Sequence, residues 1–462
     1  MSPARKERDA LGEVSVPEDA LYGPQTARAV ENFPISGRPM PRPFIAALGL
    51  VKLAAAEAHK KAKRLDGHVA DAIIAAAGEV ADGKLDGHFP VDVFQTGSGT
   101  STNMNANEVI ARRAMQILGE GAPPVHPNDH VNMGQSSNDV IPTATHVAAA
   151  MAIQRELVPA LKRLRAALLK KAKAFDGIVK TARTHLQDAV PIRLGQEFVG
   201  YAGAIDAALG VCEVAIAELC DLAIGGTAVG TGLNAPKGFA SAVCRNLAAR
   251  TRLPFKETAN HFAAHTIPLA AVQASSALRT VAIALGKIAN DVRWLASGPR
   301  CGIAELVLPA TQPGSSIMPG KVNPVICESV IQAACQVVGL DAAIVAAATG
   351  GVGSILEMHT AWPLIADNLL TGALLLANAA TVFEKKCIAG LAADEKRCAE
   401  LVERSLMLAT ALAPRIGYDA AAEIAKTAHA SGKTVRQVVL EKGLLTEAEL
   451  AEMLDVRKQT GE

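Results

Sequence analysis

The sequence predicts an all-α protein: an elongated central bundle of five long helices with smaller domains at its N- and C-terminal ends. Three observations lead there. Apolar residues recur at three- and four-residue spacing over 142–175, 187 or 193 to 223, 262–297, 324–349 and 363–387, each bounded by Gly, Pro or polar loops. Little between them alternates as a strand does. Hydrophobic residues make up 50% of the chain but aromatics only 3%, so small aliphatic side chains supply the bulk, which suits closely packed helices. Helices of such length exceed the globular mean, and the excess suggests faces buried against other subunits.

The remaining elements follow in chain order. Residues 1–45, with prolines at 3, 17, 24, 34, 39, 41 and 43, read as an irregular arm. Helices are expected over 44–65 and 69–82, with Gly67 and Gly83 as stops, and over 107–118. Beyond the bundle, shorter helices are expected over 395–412, 419–430, 434–442 and 446–454, the last opened by the box-like Thr446-Glu447-Ala448-Glu449. The division is therefore 1–139, an N-terminal domain with ligand-binding loops; 140–393, the long-helix bundle; and 394–462, a small helical domain.

Charge and cysteine content exclude several functions. With 46 basic against 45 acidic residues and no long basic run, nucleic acid and anionic membranes are not expected partners. The 8 cysteines show no C-x-x-C pair, consistent with reduced thiols in the cytoplasm. The first nine residues lack the apolar run of a signal peptide. Mean hydropathy is positive, at +0.22, but the best apolar stretch, 369–383, is short for a membrane span and interrupted by Thr371, Gly372, Asn378 and Thr381, so it reads as a buried helix.

Chemistry concentrates in loops. Gly314-Ser315-Ser316-Ile317-Met318-Pro319-Gly320-Lys321-Val322-Asn323-Pro324 pairs a hydroxyl and a point charge with an Asn-Pro helix start, where the positive helix end favours an anion. The run Gln95-Thr96-Gly97-Ser98-Gly99-Thr100-Ser101-Thr102-Asn103-Met104-Asn105 lets hydroxyls and backbone N–H groups converge on an oxygen-rich ligand, or else caps a helix. A second polar cluster holds His126-Pro127-Asn128-Asp129-His130 and Ser136-Ser137-Asn138-Asp139. Neither His126 with His130 nor His261 with His265 has the further ligands a zinc site needs.

Taken together, these stretches resemble the aspartase/fumarase superfamily over nearly the whole chain. Residues 314–324 match its signature loop, and 96–107, 126–139, 184–196 and 225–234 resemble its other shared blocks in order. Within the superfamily the chain is most similar to class II fumarate hydratases, through His126-Pro127-Asn128-Asp129, Ser136-Ser137-Asn138, Gly225-Gly226-Thr227-Ala228 and the run from Asn290 to Gly302 that contains Trp294.

The resemblance implies a homotetramer with a twenty-helix core, each active site drawing on three subunits. It implies reversible hydration of a small dicarboxylate, fumarate, to L-malate, with no metal or other cofactor. Ser315 would be the base, supported by Lys321 and Asn323, and His185 would be oriented by Glu328. Ser98, Thr100, Ser136, Ser137, Asn138 and Thr184 would bind substrate, and His126, Asn128 and Asp129 would form a secondary carboxylate site. Departures from the pattern stand at Ala263 and His359, and residues 434–454 look more like an aspartase tail. Aspartate ammonia-lyase is therefore the alternative reading. A non-catalytic structural homologue would fit the loss of Ser315, Lys321 or His185, and all three are present.

Overall fold

The computed structural model describes residues 4–461, so Met1, Ser2, Pro3 and Glu462, with the expectations placed on them, lie outside the described residues. The chain forms two compact units. One takes the chain up to Pro159 with Leu209–Ala282 and Ala333–Asn378; the other takes Ala160–Ala208, Ile283–Gln332 and the chain from Ala379. Helix dominates both, and among the described residues strands occur only as two-stranded ladders.

Five long helices each contribute to both units. The first runs Ser137–Ala152, passes a π turn at Ile153–Leu157 and continues as Val158–Ala174. Its start lies five residues before the expected Pro142. Ser136 and Asp139 form a capping box there, and that box outweighs the lost N–H of a proline inside the helix. The second helix is Leu194–Leu219, which settles the alternative starts in favour of the one near Arg193. Residues 262–297 are not one helix but two, His261–Thr266 and Leu269–Leu295. The break falls at Ile267, held extended as the residue before Pro268. Val325–Ala348 follows, then Trp362–Phe383, which a π turn at Glu384–Ile388 prolongs. The last two segments form a 27-residue apolar helix, and among the described residues three other helices are also long and apolar enough to cross a membrane. The apolar stretch 369–383 thus lies inside the helix expected over 363–387, which extends one residue further at each end.

The N-terminal arm is more ordered than its prolines suggest. Ala4–Asp9 pairs antiparallel with Gly12–Pro17, and Pro24–Asn32 is helical with its proline in the first turn. Arg42–Lys61 and Gly67–Ala81 then pack closely. Gly49 permits the contact, since a Cβ there would stand 2.8 Å from the Ala81 nitrogen. Gly67 is no stop but the first helical residue, behind Asp66, whose carboxylate accepts from the N–H groups of His68 and Val69.

In the second unit, Val179–Thr184 and Gln187–Arg193 form a hairpin closed by the two-residue turn His185-Leu186. Both turn residues have positive φ, 56° and 60°, the geometry that matches strand twist. Beneath it lie buried charges: Lys180 Nζ reaches Glu197 at 2.8 Å and Glu305 at 3.1 Å, and Arg183 Nη1 donates to Glu305 at 3.0 Å.

The C-terminal segment builds its own cluster from residues including Leu408, Leu412, Ile424, Val439 and Leu450. Its helices fall at Glu395–Arg404, Tyr418–Ser431, Val435–Glu441 and Glu447–Met453, close to expectation, with a 3-10 stretch Leu406–Leu412 replacing the end of the first. Leu412 is fully buried. Leu412→Ala is expected to cost about 2–5 kcal/mol, read as lost hydrogen-exchange protection over the C-terminal helices.

Candidate active site

In the first unit, helix Thr100–Leu118 begins earlier than its apolar pattern indicates, because Gly99 in the left-handed region (φ 73°) turns the polar run directly into it. Thr100 therefore sits in the first turn. Its hydroxyl lies 2.8 Å from Ser98 Oγ and 2.7 Å from Ser137 Oγ, so three hydroxyls from two helix starts form one chain. Ser136 joins less directly: its Oγ accepts the Asn138 N–H at 3.2 Å, and its own hydrogen remains free to be donated. Asn138 Nδ2 donates to the Ala228 carbonyl at 2.8 Å.

Asp139 fixes this arrangement. Its fully buried carboxylate accepts N–H groups from Ser136, Gly225 and Thr227 at 2.9, 2.9 and 3.0 Å. Burial raises its pKa, against the lowering effect of those bonds. Sequence reading placed Asp139 in a polar cluster without a role; the Ser-x-x-Asp spacing was its signal. Lys52 was missed altogether. It is fully buried and donates to Asn132 Oδ1 at 2.8 Å and Gln135 Oε1 at 3.1 Å. A lone lysine inside the apolar run of helix Arg42–Lys61 was the clue.

His126, Asn128 and Asp129 come together at the π turn Pro127–Val131, where His126 Nδ1 accepts the N–H groups of Asn128 and Asp129 at 3.3 and 3.1 Å. His126 and Asn128 line a cavity of about 470 Å³ together with Arg8, Arg112, Glu7 and Glu108. His265 is also occupied, its ring nitrogens lying within 3.0 Å of the His261 and Thr227 carbonyls. Among the described residues no group of three His, Cys, Asp or Glu could hold a metal.

The second unit carries the rest. The loop 314–324 is tied at its ends: the Gly314 N–H donates to the Lys321 carbonyl at 2.9 Å, and Asn323 Nδ2 donates to the Gly314 carbonyl at 2.5 Å. Asn323 therefore closes the loop, and the cap position of helix Val325–Ala348 falls to Pro324, whose carbonyl accepts the Glu328 N–H. Ser315 Oγ accepts two backbone N–H groups, Ile317 at 3.2 Å and Met318 at 3.0 Å. Lys321 is exposed. A cavity of about 620 Å³ lies against this loop, lined by Lys321, Asn323, Glu328, Arg293, Asp394 and the half-exposed Trp294. Thr184 and His185 stand exposed at the hairpin tip, and among the described residues no hydrogen bond joins His185 to Glu328.

Comparison with known proteins identifies the family. The family described as Lyase matches residues 12–339, and the family described as Fumarase C C-terminus matches 408–461. Fumarate hydratase class II 2 of Bradyrhizobium diazoefficiens is 52% identical over 459 residues, 99% of this chain and 96% of that protein. The class II fumarate hydratase of Halobacterium salinarum is 55% identical over 458 residues, 99% and 97% of the two chains. The chain belongs to the class II fumarate hydratase family. A solved class II fumarase from Schistosoma mansoni superposes with a TM-score of 0.96 at 39% identity, covering 99% of each chain.

Family membership corrects one expectation, since the tail that looked aspartase-like lies within the match to the fumarase C-terminus. Of the two departures from the family pattern, Ala263 is exposed on the short helix His261–Thr266. His359 is buried, 3.1 Å from Ser354 Oγ and edge-on to Trp362. Burial lowers its pKa to about 4, leaving a neutral packed ring.

Gly314 has no room for a side chain, because a Cβ would stand 2.2 Å from the Lys321 carbonyl oxygen. Gly314→Ala is expected to lower kcat about 100-fold or more by misplacing Ser315, while the thermal midpoint stays within a few degrees; wild-type kcat would show that the closed loop is not needed.

Proposed function

We propose that this chain is a lyase that adds water reversibly across fumarate to give L-malate, by anti addition and, in reverse, anti elimination through an aci-carboxylate intermediate. One observation carries the reading: Ser315 Oγ, on a loop pinned at both ends, already receives two backbone N–H donors. Donors aimed at an oxygen favour its charged form, which is what a serine acting as a base requires. In the dehydration direction Ser315 takes the proton from the carbon beside one carboxylate. The C–H electron pair moves into that group, making it an aci-carboxylate dianion, and then forms the double bond as hydroxide departs, protonated to water.

Stabilising the dianion is the main electrostatic task. Lys321, Asn323 and the loop N–H groups serve it, at about 3 kcal/mol for each well-placed donor. His185 binds the second carboxylate or protonates the leaving hydroxyl, with Glu328 orienting it from another subunit. Ser98, Thr100, Ser136, Ser137, Asn138 and Thr184 supply neutral donors to substrate oxygens, and His126, Asn128 and Asp129 offer a secondary carboxylate site. No cofactor enters this scheme.

The same reading includes a homotetramer with active sites shared among three subunits. Half-exposed apolar side chains on the long helices support it, among them Val199, Val214, Ile283, Val338, Val345 and Leu374. The division into 1–139, 140–393 and 394–462, and a cytoplasmic location, complete the proposal; the separate C-terminal cluster supports the last boundary. Water rather than ammonia as the added molecule is favoured by Ser137, Trp294 and the names of the relatives.

Fumarate absorbance is expected to fall at neutral pH without ammonium. A requirement for ammonium would instead assign aspartate chemistry. Ser315→Ala is expected to slow turnover by roughly 10²–10⁴-fold with a small change in KM, and near-normal turnover would place the base elsewhere. Light scattering is expected to give four chains per particle; a stable, active monomer would remove the shared-site arrangement.

A further inference from the structure

The hydroxyls of Ser98, Thr100 and Ser137 are neutral, yet the ligand assigned to them under the hydratase reading carries two negative charges. A positive group lies close by in the chain's packing. Lys52 Nζ, fully buried, donates to Asn132 Oδ1 and Gln135 Oε1. Gln135 immediately precedes the Ser136–Asp139 capping box that presents Ser137. Asn132 Oδ1 also accepts from Asn103 Nδ2 at 3.3 Å, and Asn103 lies in the first turn of the helix that begins at Thr100. Lys52 is thus linked to both helix starts that carry the hydroxyl chain, to one through Asn132 and Asn103 and to the other through Gln135, the residue before the Ser136 cap.

We infer that Lys52 is a positioning residue for dicarboxylate binding: it holds the turn 132–135 beneath Ser137 and Thr100 and supplies the positive charge behind them. The inference rests on the hydratase reading and deepens it. Two amide oxygens need only neutral donors, which a glutamine would provide without the cost of burying an ammonium group. The Asn103 Oδ1 atom is buried without a hydrogen-bond partner in the same network, which marks it as a place where polar groups are held for more than packing.

Burial brings the Lys52 pKa down from 10.5 to about 7, with Asp139 acting against the fall. The ammonium form therefore prevails below about pH 7 and the neutral amine above it. Asp139, on the helix Ser137–Ala152, is the facing charge. Helix Thr100–Leu118 offers the neutral Asn103, while its Glu108 is turned to Gly23, Gln25 and Thr26. On the helix of Lys52 itself, His59 bonds the Met133 carbonyl, and burial lowers its pKa. Among the described residues, helices Gly67–Ala81 and Phe239–Thr251 bring no charged partner to the Lys52 ammonium. A bound dianion favours the charged lysine, so binding above pH 7 must take up protons and weaken as pH rises.

The test uses the full chain, L-malate turnover and succinate as a non-reacting dicarboxylate. In the wild type, calorimetry at about pH 7.5 in two buffers of different ionisation enthalpy is expected to show uptake of a fraction of a proton on binding succinate. Lys52→Met is expected to abolish that uptake and raise KM for malate roughly 10–100-fold, with kcat within about threefold. Lys52→Arg, always charged, is expected to keep a low KM to about pH 8.5. Wild-type KM and unchanged proton uptake in Lys52→Met would overturn the inference. If that variant does not fold, wild-type binding of succinate with no proton uptake and a KM flat across neutral pH overturns it equally. A wild-type chain that turns over neither fumarate nor malate sinks the hydratase reading instead, which these outcomes keep separate.

Discussion

Much of the first unit depends on one buried carboxylate. Asp139 ties three N–H groups from two separate stretches of chain, Ser136 at the start of its own helix and Gly225 and Thr227 in a distant loop. That anchor supports the positions in which the Ser137 hydroxyl meets Thr100 and the Asn138 amide meets the Ala228 carbonyl. Desolvation opposes the charge and the converging donors support it, and such a balance holds only while all three bonds are made. A carboxylate stranded there would cost more than any one of those bonds contributes, which makes the arrangement nearly all-or-none.

The second unit solves a similar problem with one backbone bond and one side-chain amide. Its loop 314–324 is closed by the Gly314 and Lys321 peptide groups and by Asn323 acting on Gly314. Side chains between those ties, Ile317 and Met318 among them, point outward and are exposed. Position is thus set by a pair of peptide groups and by the Asn323 amide together. The hairpin Val179–Thr184 with Gln187–Arg193 is braced by Glu305, which pairs with Lys180 toward its open end and with Arg183 toward its tip.

How far the sequence reveals this depends on the kind of signal. Long helices were legible because burial of one face imposes a 3.6-residue period on many positions at once, and Val325–Ala348 fell within a residue of expectation. Helix starts were less so. Pro142 invites a start where Ser136 and Asp139 provide a stronger one, and Thr100 begins a helix whose apolar pattern emerges only at Asn107. The hairpin Ala4–Asp9 with Gly12–Pro17 was hidden because the half-buried positions of its first strand are the charged Arg5, Glu7 and Asp9, which left only Val14 and Val16 of the second strand as an apolar alternation. The proposed site residues stand out in the sequence as motifs, whereas the separation of Thr100 and Ser137 from Ser315 and His185 into different units does not. Contacts between residues far apart in the chain leave no periodic trace, and Lys52 is the clearest case.

The turn His185-Leu186 has a consequence for how this chain can change. Neither residue is glycine or asparagine, yet both occupy the left-handed region, which costs each about 1 kcal/mol relative to residues that adopt it freely. Mutations toward Asn-Gly would therefore make the hairpin more stable and remove the imidazole together. Under the role proposed for His185, thermal robustness and catalysis compete at this one dipeptide, so an evolutionary path toward a hotter habitat must find its gains elsewhere, in caps, loops and helix faces remote from the tip.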